Sequence, residues 1–228
     1  MAAMNKINVA IDGPAGAGKS TVARLVAGHL GYIYIDTGAM YRAVTLLALE
    51  RRLKPEDAED IAELAKSMKL ELLPGSAGQQ VLVDGDNVTD RIRTFAVNQN
   101  VSAISQISAV RRLLVAKQQQ MAAAKGVVMD GRDIGTKVLP DAEVKVFLTA
   151  SAGRRAERRF KESPGRDGLT VEQLEREIAA RDRMDEQRAE SPLVRAEDAV
   201  LLDSTDMSVD EVVSAIVGLC RQKAVEVR

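Results

Sequence analysis

Cysteine and histidine are almost missing from this chain: its 228 residues hold one of each, Cys220 and His29. No disulfide can form within the chain, and a zinc site of His and Cys ligands has too few donors. Any catalytic triad or dyad that needs histidine has a single candidate. Aromatic residues are 3% with no Trp, too few for the stacking platform that single-strand nucleic-acid binders use. Neither charge dominates: 32 Lys and Arg stand against 33 Asp and Glu, a net charge of −1. That balance excludes a generally basic nucleic-acid coat and an acidic solvating tail. No apolar run reaches the roughly 18 residues that a membrane span needs. The start, Met1-Ala2-Ala3-Met4-Asn5-Lys6, lacks the apolar centre of a secretory signal. With a free cysteine compatible with a reducing compartment, the expected location is cytoplasmic.

What is present has the composition of a globular protein, 46% apolar and 29% charged, and the length favours one domain over two. Apolar runs predict strands at Ile7–Ile11, Tyr32–Ile35, Gly126–Met129, Glu143–Leu148 and Ala199–Leu202. Helical spacing predicts helices over Ser20–Leu30, Ala39–Arg52, Pro55–Met68, Thr94–Ile104, Ala109–Ala124, Gly153–Lys161, Val171–Ala189 and Val209–Arg221. Strands that are apolar throughout and joined by helices imply an α/β fold with a parallel sheet covered on both faces. Between Leu70 and Thr94 the texture changes. Short apolar runs at Leu70–Leu73 and Gln80–Val83, with turns at Pro74-Gly75-Ser76 and Asp84-Gly85-Asp86, predict a small antiparallel insertion.

Gly13-Pro14-Ala15-Gly16-Ala17-Gly18-Lys19-Ser20-Thr21 matches the P-loop pattern, directly after a strand and before a helix. Glycines let backbone N–H groups turn inward around a phosphate chain, and the helix N-terminus adds partial positive charge. Lys19 is expected to reach the β- and γ-phosphates, and the Ser20 hydroxyl to face Mg²⁺. The apolar strand Val127-Val128-Met129 ends in Asp130, the setting in which P-loop enzymes hold that metal.

Three further clusters each carry two readings. Asp130-Gly131-Arg132-Asp133 is either a ligand-binding strand end, with a guanidinium for phosphate and a carboxylate for an amino donor, or a surface turn with a local ion pair. Asp36-Thr37-Gly38-Ala39-Met40-Tyr41-Arg42 is either an anion grip, with Tyr41 and Arg42 in the first helical turn, or a capped helix with an exposed arginine. Arg154, Arg155, Arg158 and Arg159, followed by Arg181, Arg183, Asp185 and Arg188, are either solvated, salt-bridged faces or part of a mobile segment that brings arginines over phosphates. Little apolar material is seen to pin Arg154–Gly168, with its Ser163-Pro164-Gly165-Arg166-Asp167-Gly168 turn. His29 reads as a helix-end packing residue and Cys220 as a small apolar residue on the last helix.

Taken together, these residues resemble the bacterial cytidylate (CMP) kinases, P-loop nucleoside monophosphate kinases, essentially end to end. The markers are Ile11-Asp12-Gly13-Pro14, Asp36–Arg42, Asp130-Gly131-Arg132-Asp133-Ile134-Gly135-Thr136, and Arg181-Asp182-Arg183 with Asp185 and Arg188 before Ser191-Pro192-Leu193. The resemblance implies a P-loop core with a five-stranded parallel sheet, a small antiparallel insertion in the nucleoside-monophosphate part, and a helical lid. On this chain it implies one kinase domain over 1–228, with core 1–60, 104–150 and 191–228, an insertion near 61–103, and a lid near 151–190. It implies ATP on Gly13–Thr21. Thr37 falls near the acceptor nucleotide, with Tyr41 and Arg42 following it, and Arg42 and Arg132 fall on the CMP phosphate. Ser102, Arg111 and Asp133 fall on the cytosine edge, and Arg181, Asp185 and Arg188 on the ribose and phosphates. Catalysis is then positioning plus charge stabilisation by Lys19, Mg²⁺ and arginines including Arg132, Arg158 and Arg188. The metal falls to Ser20 and Asp130, with Thr21 offering a second hydroxyl. The implied partners are ATP and CMP or dCMP, without nucleic acid or membrane, on a monomer. Two rival readings share the P-loop: a kinase for a sugar or shikimate-like acid, and a nucleotide-dependent switch or nucleic-acid-associated ATPase.

Overall fold

The computed structural model describes residues 5–75, 78–162 and 169–226. They fall into two compact units. One comprises the described residues up to Tyr34 and from Ala122 onward, the other Ile35–Met121.

The first unit is built on a five-stranded sheet. Its strands are β1 (Asn8–Asp12), β2 (Ile33–Asp36, leading into the second unit), β6 (Val127–Gly131), β7 (Val144–Thr149) and β8 (Val200–Asp203). The order is β2-β6-β1-β7-β8. β1 pairs in parallel with both β6 and β7, and β7 with β8. β1 is buried along its whole length, as is β6, which is why neither shows polar–apolar alternation. Helices α1 (Lys19–Leu30), α6 (Ala152–Glu162), α7 (Val171–Glu186) and α8 (Val209–Glu226) belong to this unit. Val22, Val26, Ile216 and Val217 pack with Ile7, Val9, Val128 and Val146 into one apolar cluster. Since β1 lies between β6 and β7, the loops leaving β1 and β6 emerge side by side at the carboxyl end of the sheet, where open α/β sheets bind ligands.

The second unit holds α2 (Thr37–Glu50), α3 (Ala58–Ser67), β3 (Leu70–Leu73), β4 (Gln80–Val83), β5 (Asp86–Asn87), α4 (Phe95–Ile104) and most of α5 (Ser108–Ala122). The three strands form an antiparallel sheet in which Leu70 faces Val83 and Leu82 faces Asn87. Met40, Ile61, Leu64, Leu70, Val81, Ile92 and Ile104 share its core. The unit is wider than the insertion expected at 61–103. α2, with Met40, Ala43 and Val44 buried, contributes the floor of the core, so the compact body starts at Ile35.

Several boundaries differ from the sequence expectations. The helix expected from Pro55 starts at Ala58, because the Lys54 N–H donates to the Asp57 carboxylate at 2.7 Å and closes a turn first. Asp86 leaves the expected turn to pair in β5. α2 starts at Thr37, because the Asp36 carboxylate accepts from the Ala39 N–H at 2.9 Å and caps it. Tyr41 and Arg42 therefore lie in the second turn of α2, not the first. α8 runs on to Glu226, carrying a further buried residue, Ala224.

Candidate active site

The first unit places the phosphate loop between β1 and α1. Gly13 has φ +149°, and a Cβ there would sit 2.0 Å from the Leu148 carbonyl oxygen of β7. Only glycine allows the loop to leave β1 this close to its neighbour. Gly13→Ala is expected to lose at least about 2–3 kcal/mol of stability from backbone strain and overlap. In thermal melting that is a fall of roughly 5–10 °C in Tm for a domain of this size, and an unchanged Tm would contradict the close approach.

Lys19 opens α1. Its side chain is turned inward: it is 5% exposed, and its Nζ donates to the Pro14 carbonyl at 2.7 Å. Burial, then the charge of Arg132, lowers its pKa well below the usual lysine value, against the pull of Asp130, Asp185 and Asp12. The lysine cation, two strand-end carboxylates and an arginine thus form one electrostatic group.

The Ser20 hydroxyl donates to Asp130 Oδ2 at 2.9 Å, and the Tyr34 hydroxyl to Oδ1 at 2.9 Å. Asp130 is buried at the end of β6. A hydroxyl and a carboxylate meeting beside a phosphate loop are hard oxygen donors of the kind Mg²⁺ takes. Thr21 is exposed and has no such partner among the hydrogen bonds described, so the pairing favours Ser20.

Past β6, Arg132 Nε donates to Asp185 Oδ2 at 2.8 Å. Burial would raise the Asp185 carboxyl, but the guanidinium groups of Arg132, Arg188 and Arg181 outweigh it and hold the pKa below the ordinary value. Arg188 Nε donates to the Asp185 carbonyl at 3.3 Å. The structure therefore brings together Lys19, Asp130, Arg132, Asp185 and Arg188 in this unit, with Arg181 close enough to act on Asp185. Asp133, buried, follows Arg132 directly.

Asp12 was read from the sequence only as a marker. Its carboxylate accepts from the Ile134 N–H at 2.8 Å and the Gly135 N–H at 2.7 Å, and so fixes the turn after Arg132 and Asp133. Burial pushes its pKa up to about 6, against those two hydrogen bonds. Tyr34 was not singled out either, and no local pattern marks it, since its partner Asp130 is 96 residues away.

Three of the four arginines of α6 have protein partners. Arg155, 7% exposed, bonds Asp182 and the Ala15 and Ala150 carbonyls. Arg158 donates to the Ser204 hydroxyl and carbonyl, and Arg154 to Glu157 and the Thr205 carbonyl. Arg159 is exposed. The expectation of a segment with little to pin it is corrected over α6, where Arg155 and Ala156 are buried. The Ser163–Gly168 turn lies outside the described residues. His29 is exposed, its Nδ1 2.9 Å from the Leu25 carbonyl, so it is not a packing residue. Cys220 is buried, with burial pushing its thiol up to about 12.

In the second unit, Thr37 is buried at the head of α2. Tyr41 lies under the Arg111 guanidinium, 5.5 Å from ring centroid to Cζ. Arg111 donates to the Ser105 carbonyl at 3.2 Å, and the Ser105 hydroxyl to the Ser102 carbonyl at 2.9 Å. Tyr41, Ser102 and Arg111 thus form one buried group on α2, α4 and α5. Arg42 pairs with Asn98. Asp36 also accepts from Arg93, and its N–H donates to Gln79 at 3.0 Å. Asn98, Arg93 and Gln79 were not picked out from the sequence.

The chain is similar to known proteins over nearly its whole length. The cytidylate kinase family profile matches residues 9–222. A cytidylate kinase of Exiguobacterium sibiricum is 52% identical over 217 residues, 95% of this chain and 97% of that protein. One of Ligilactobacillus salivarius is 51% identical over 221 residues, 96% of this chain and 99% of that protein. Among solved structures, an uncharacterized protein from Eubacterium ventriosum superposes with a TM-score of 0.52 at 12% identity, covering 96% of this chain and 99% of that one, a likeness of fold alone. With the family profile spanning nearly the whole chain and relatives half identical over nearly all of it, the chain belongs to the cytidylate kinase family.

Proposed function

We propose that the protein transfers the γ-phosphoryl group of ATP to CMP or dCMP, giving ADP and CDP or dCDP, and that it works as a monomer in the cytoplasm without nucleic acid or membrane. Family membership supports the reaction. The observation that carries the site assignment is geometric: Ser20, next to Lys19 in the phosphate loop, donates to Asp130 at the end of β6 at 2.9 Å, and Arg132, two residues after Asp130, donates to Asp185 at 2.8 Å. The phosphate loop and the arginine assigned to the acceptor phosphate thus lie at the same strand end, which supports transfer from one nucleotide to another.

The backbone of Gly13-Pro14-Ala15-Gly16-Ala17-Gly18, with Lys19, Ser20 and Thr21, binds the ATP phosphates. Ser20 and Asp130 hold Mg²⁺, which when bound neutralises phosphate charge. Arg42 and Arg132 grip the CMP phosphate, with Thr37 and Tyr41 beside the acceptor nucleotide. Ser102, Arg111 and Asp133 read the cytosine edge. Arg181, Asp185 and Arg188 take the ribose and phosphates, and Arg158 adds charge once released from Ser204.

An oxygen of the CMP phosphate attacks the γ-phosphorus in line, the bond to the β-phosphate oxygen breaks, and ADP leaves. That phosphate is largely ionised near neutral pH, its second pKa lying near ~6, so no strong general base is needed. A chain with one exposed histidine can do this chemistry. Lys19, Arg132 and Arg188 supply preorganised charge for the transition state.

The test is a phosphoryl-transfer assay over CMP, dCMP, UMP, AMP and GMP, with ATP turnover measured with and without acceptor. CMP and dCMP are expected to be the preferred acceptors, and ATP turnover to depend on acceptor. ATP hydrolysis independent of any monophosphate would overturn the reading and favour a nucleotide-dependent switch.

A further inference from the structure

Arg155 and Asp182 are buried charges that the reaction as described leaves without a task. Both belong to the first unit, 27 residues apart, and Arg155 donates to Asp182 at 2.6 Å. Their common target is Ala15, in the phosphate loop. Asp182 Oδ1 accepts from the Ala15 N–H at 3.1 Å, and Arg155 donates to the Ala15 carbonyl at 2.8 Å. Both polar groups of that residue are therefore held by one ion pair. The Nε of Arg155 donates to the Ala150 carbonyl at 2.9 Å, which ties the same guanidinium to the end of β7. The contact is close-packed. A Cβ on Gly16 would lie 3.3 Å from the Arg155 Cβ and 3.6 Å from Ile178 of α7.

Asp182 sits three residues before Asp185 on α7, so the two carboxylates lie on neighbouring positions of one helix face. One holds the phosphate loop and the other holds Arg132. α7 is thus a rigid bar with the ATP-phosphate loop bonded at one position and the arginine cluster of Arg132, Arg188 and Arg181 gathered around the next turn.

We propose that Asp182 and Arg155 are positioning residues that couple the phosphate loop to the arginine cluster around α7, so that occupation of the ATP site raises the affinity for the acceptor and the reverse. The proposal rests on the assignment of Arg132, Asp185 and Arg188 to the acceptor. Neither residue of the pair need touch a nucleotide. A loop fixed by the ion pair transmits its position to α7, and a loop freed from it does not. Linkage then requires the effect to be reciprocal.

The experiment is calorimetric titration of CMP into the protein, with and without saturating Mg²⁺ and the non-hydrolysable ATP analogue adenylyl imidodiphosphate. It is run on the wild type, Asp182→Asn and Arg155→Lys, with a thermal melt of each. Asp182→Asn keeps the side-chain shape and one acceptor, and Arg155→Lys keeps the charge, so both are expected to fold. In the wild type the analogue is expected to tighten CMP binding by at least ~5-fold, the lower end of ordinary allosteric coupling. In both variants that factor is expected to fall to within about twofold of one, while CMP affinity without analogue changes little. Variants that melt lower but keep the wild-type factor would show a purely structural pair and overturn the proposal. So would a wild type that binds both ligands with no coupling. A wild type that binds neither ligand would overturn the assignment of the site itself, which separates the two failures.

Discussion

Replacing Lys19 by alanine is expected to lower turnover at least ~100-fold and to leave the fold intact or more stable. The rate effect follows from what the ammonium does: it is a fixed charge at a transferring phosphoryl group, and removing one such group costs about 100- to 1000-fold. The stability effect follows from burial. The side chain is 5% exposed and its cation is disfavoured by desolvation and by Arg132, so its pKa lies below the ordinary value. A lysine with a lowered folded-state pKa binds fewer protons folded than unfolded, and stability therefore rises with pH through the interval below the ordinary value of 10.5. At neutral pH the charge is a cost to the fold, and its removal relieves that cost. Among the described residues, the side-chain hydrogen bond lost is the one to the Pro14 carbonyl, a buried contact within the phosphate loop rather than in the apolar core. Initial rates with saturating ATP and CMP, beside a thermal melt, check both halves. A folded variant with near-normal turnover would remove Lys19 from the mechanism.

The fold was legible because its signals are local. β1, the glycine-rich loop and α1 follow each other within residues 8–30, and the largely apolar β6 and β7 read as buried parallel strands without reference to anything distant. Turn chemistry placed β3 and β4 at their observed bounds. The errors came where a side chain overrode the pattern: Asp57 delays α3, and Asp36 advances α2 by capping it. In the site, Ser20 and Asp130 could be named because motif and strand end each carry a signal. The role of Arg155 could not. Arginines at spacings of three and four look alike whether they face solvent or the interior, and Arg155 meets its loop partner Ala15 across 140 residues of sequence. The bonds of Asp12, in the sequence only a marker, were invisible for the same reason: the backbone groups it ties are 122 and 123 residues away.

Asp133→Ala is expected to cost most of the activity on CMP and to narrow the preference for CMP over UMP. Cytosine presents an exocyclic amino donor where uracil presents a carbonyl acceptor, and an ionised carboxylate can only accept. In the proposed site it therefore bonds the first base and repels the second. Asp133 is buried beside the turn that Asp12 fixes, where a lost partner is not replaced by bulk water. Leaving a buried donor unmatched costs about 1–3 kcal/mol, which at 1.4 kcal/mol per decade is roughly a 5- to 150-fold fall in kcat/KM for CMP. The rate for UMP should fall less or rise, because the repulsive group is gone. Loss of folding is not the expected cause. The Asp133 charge raises the pKa of Asp12, so deleting it removes a like-charge repulsion and lets Asp12 ionise more easily while keeping its bonds to Ile134 and Gly135. kcat/KM for CMP and UMP in wild type and variant, measured on protein with a cooperative melt, decides the matter. A variant that loses activity on both acceptors equally, and so keeps the wild-type ratio, would show that Asp133 does not read the base.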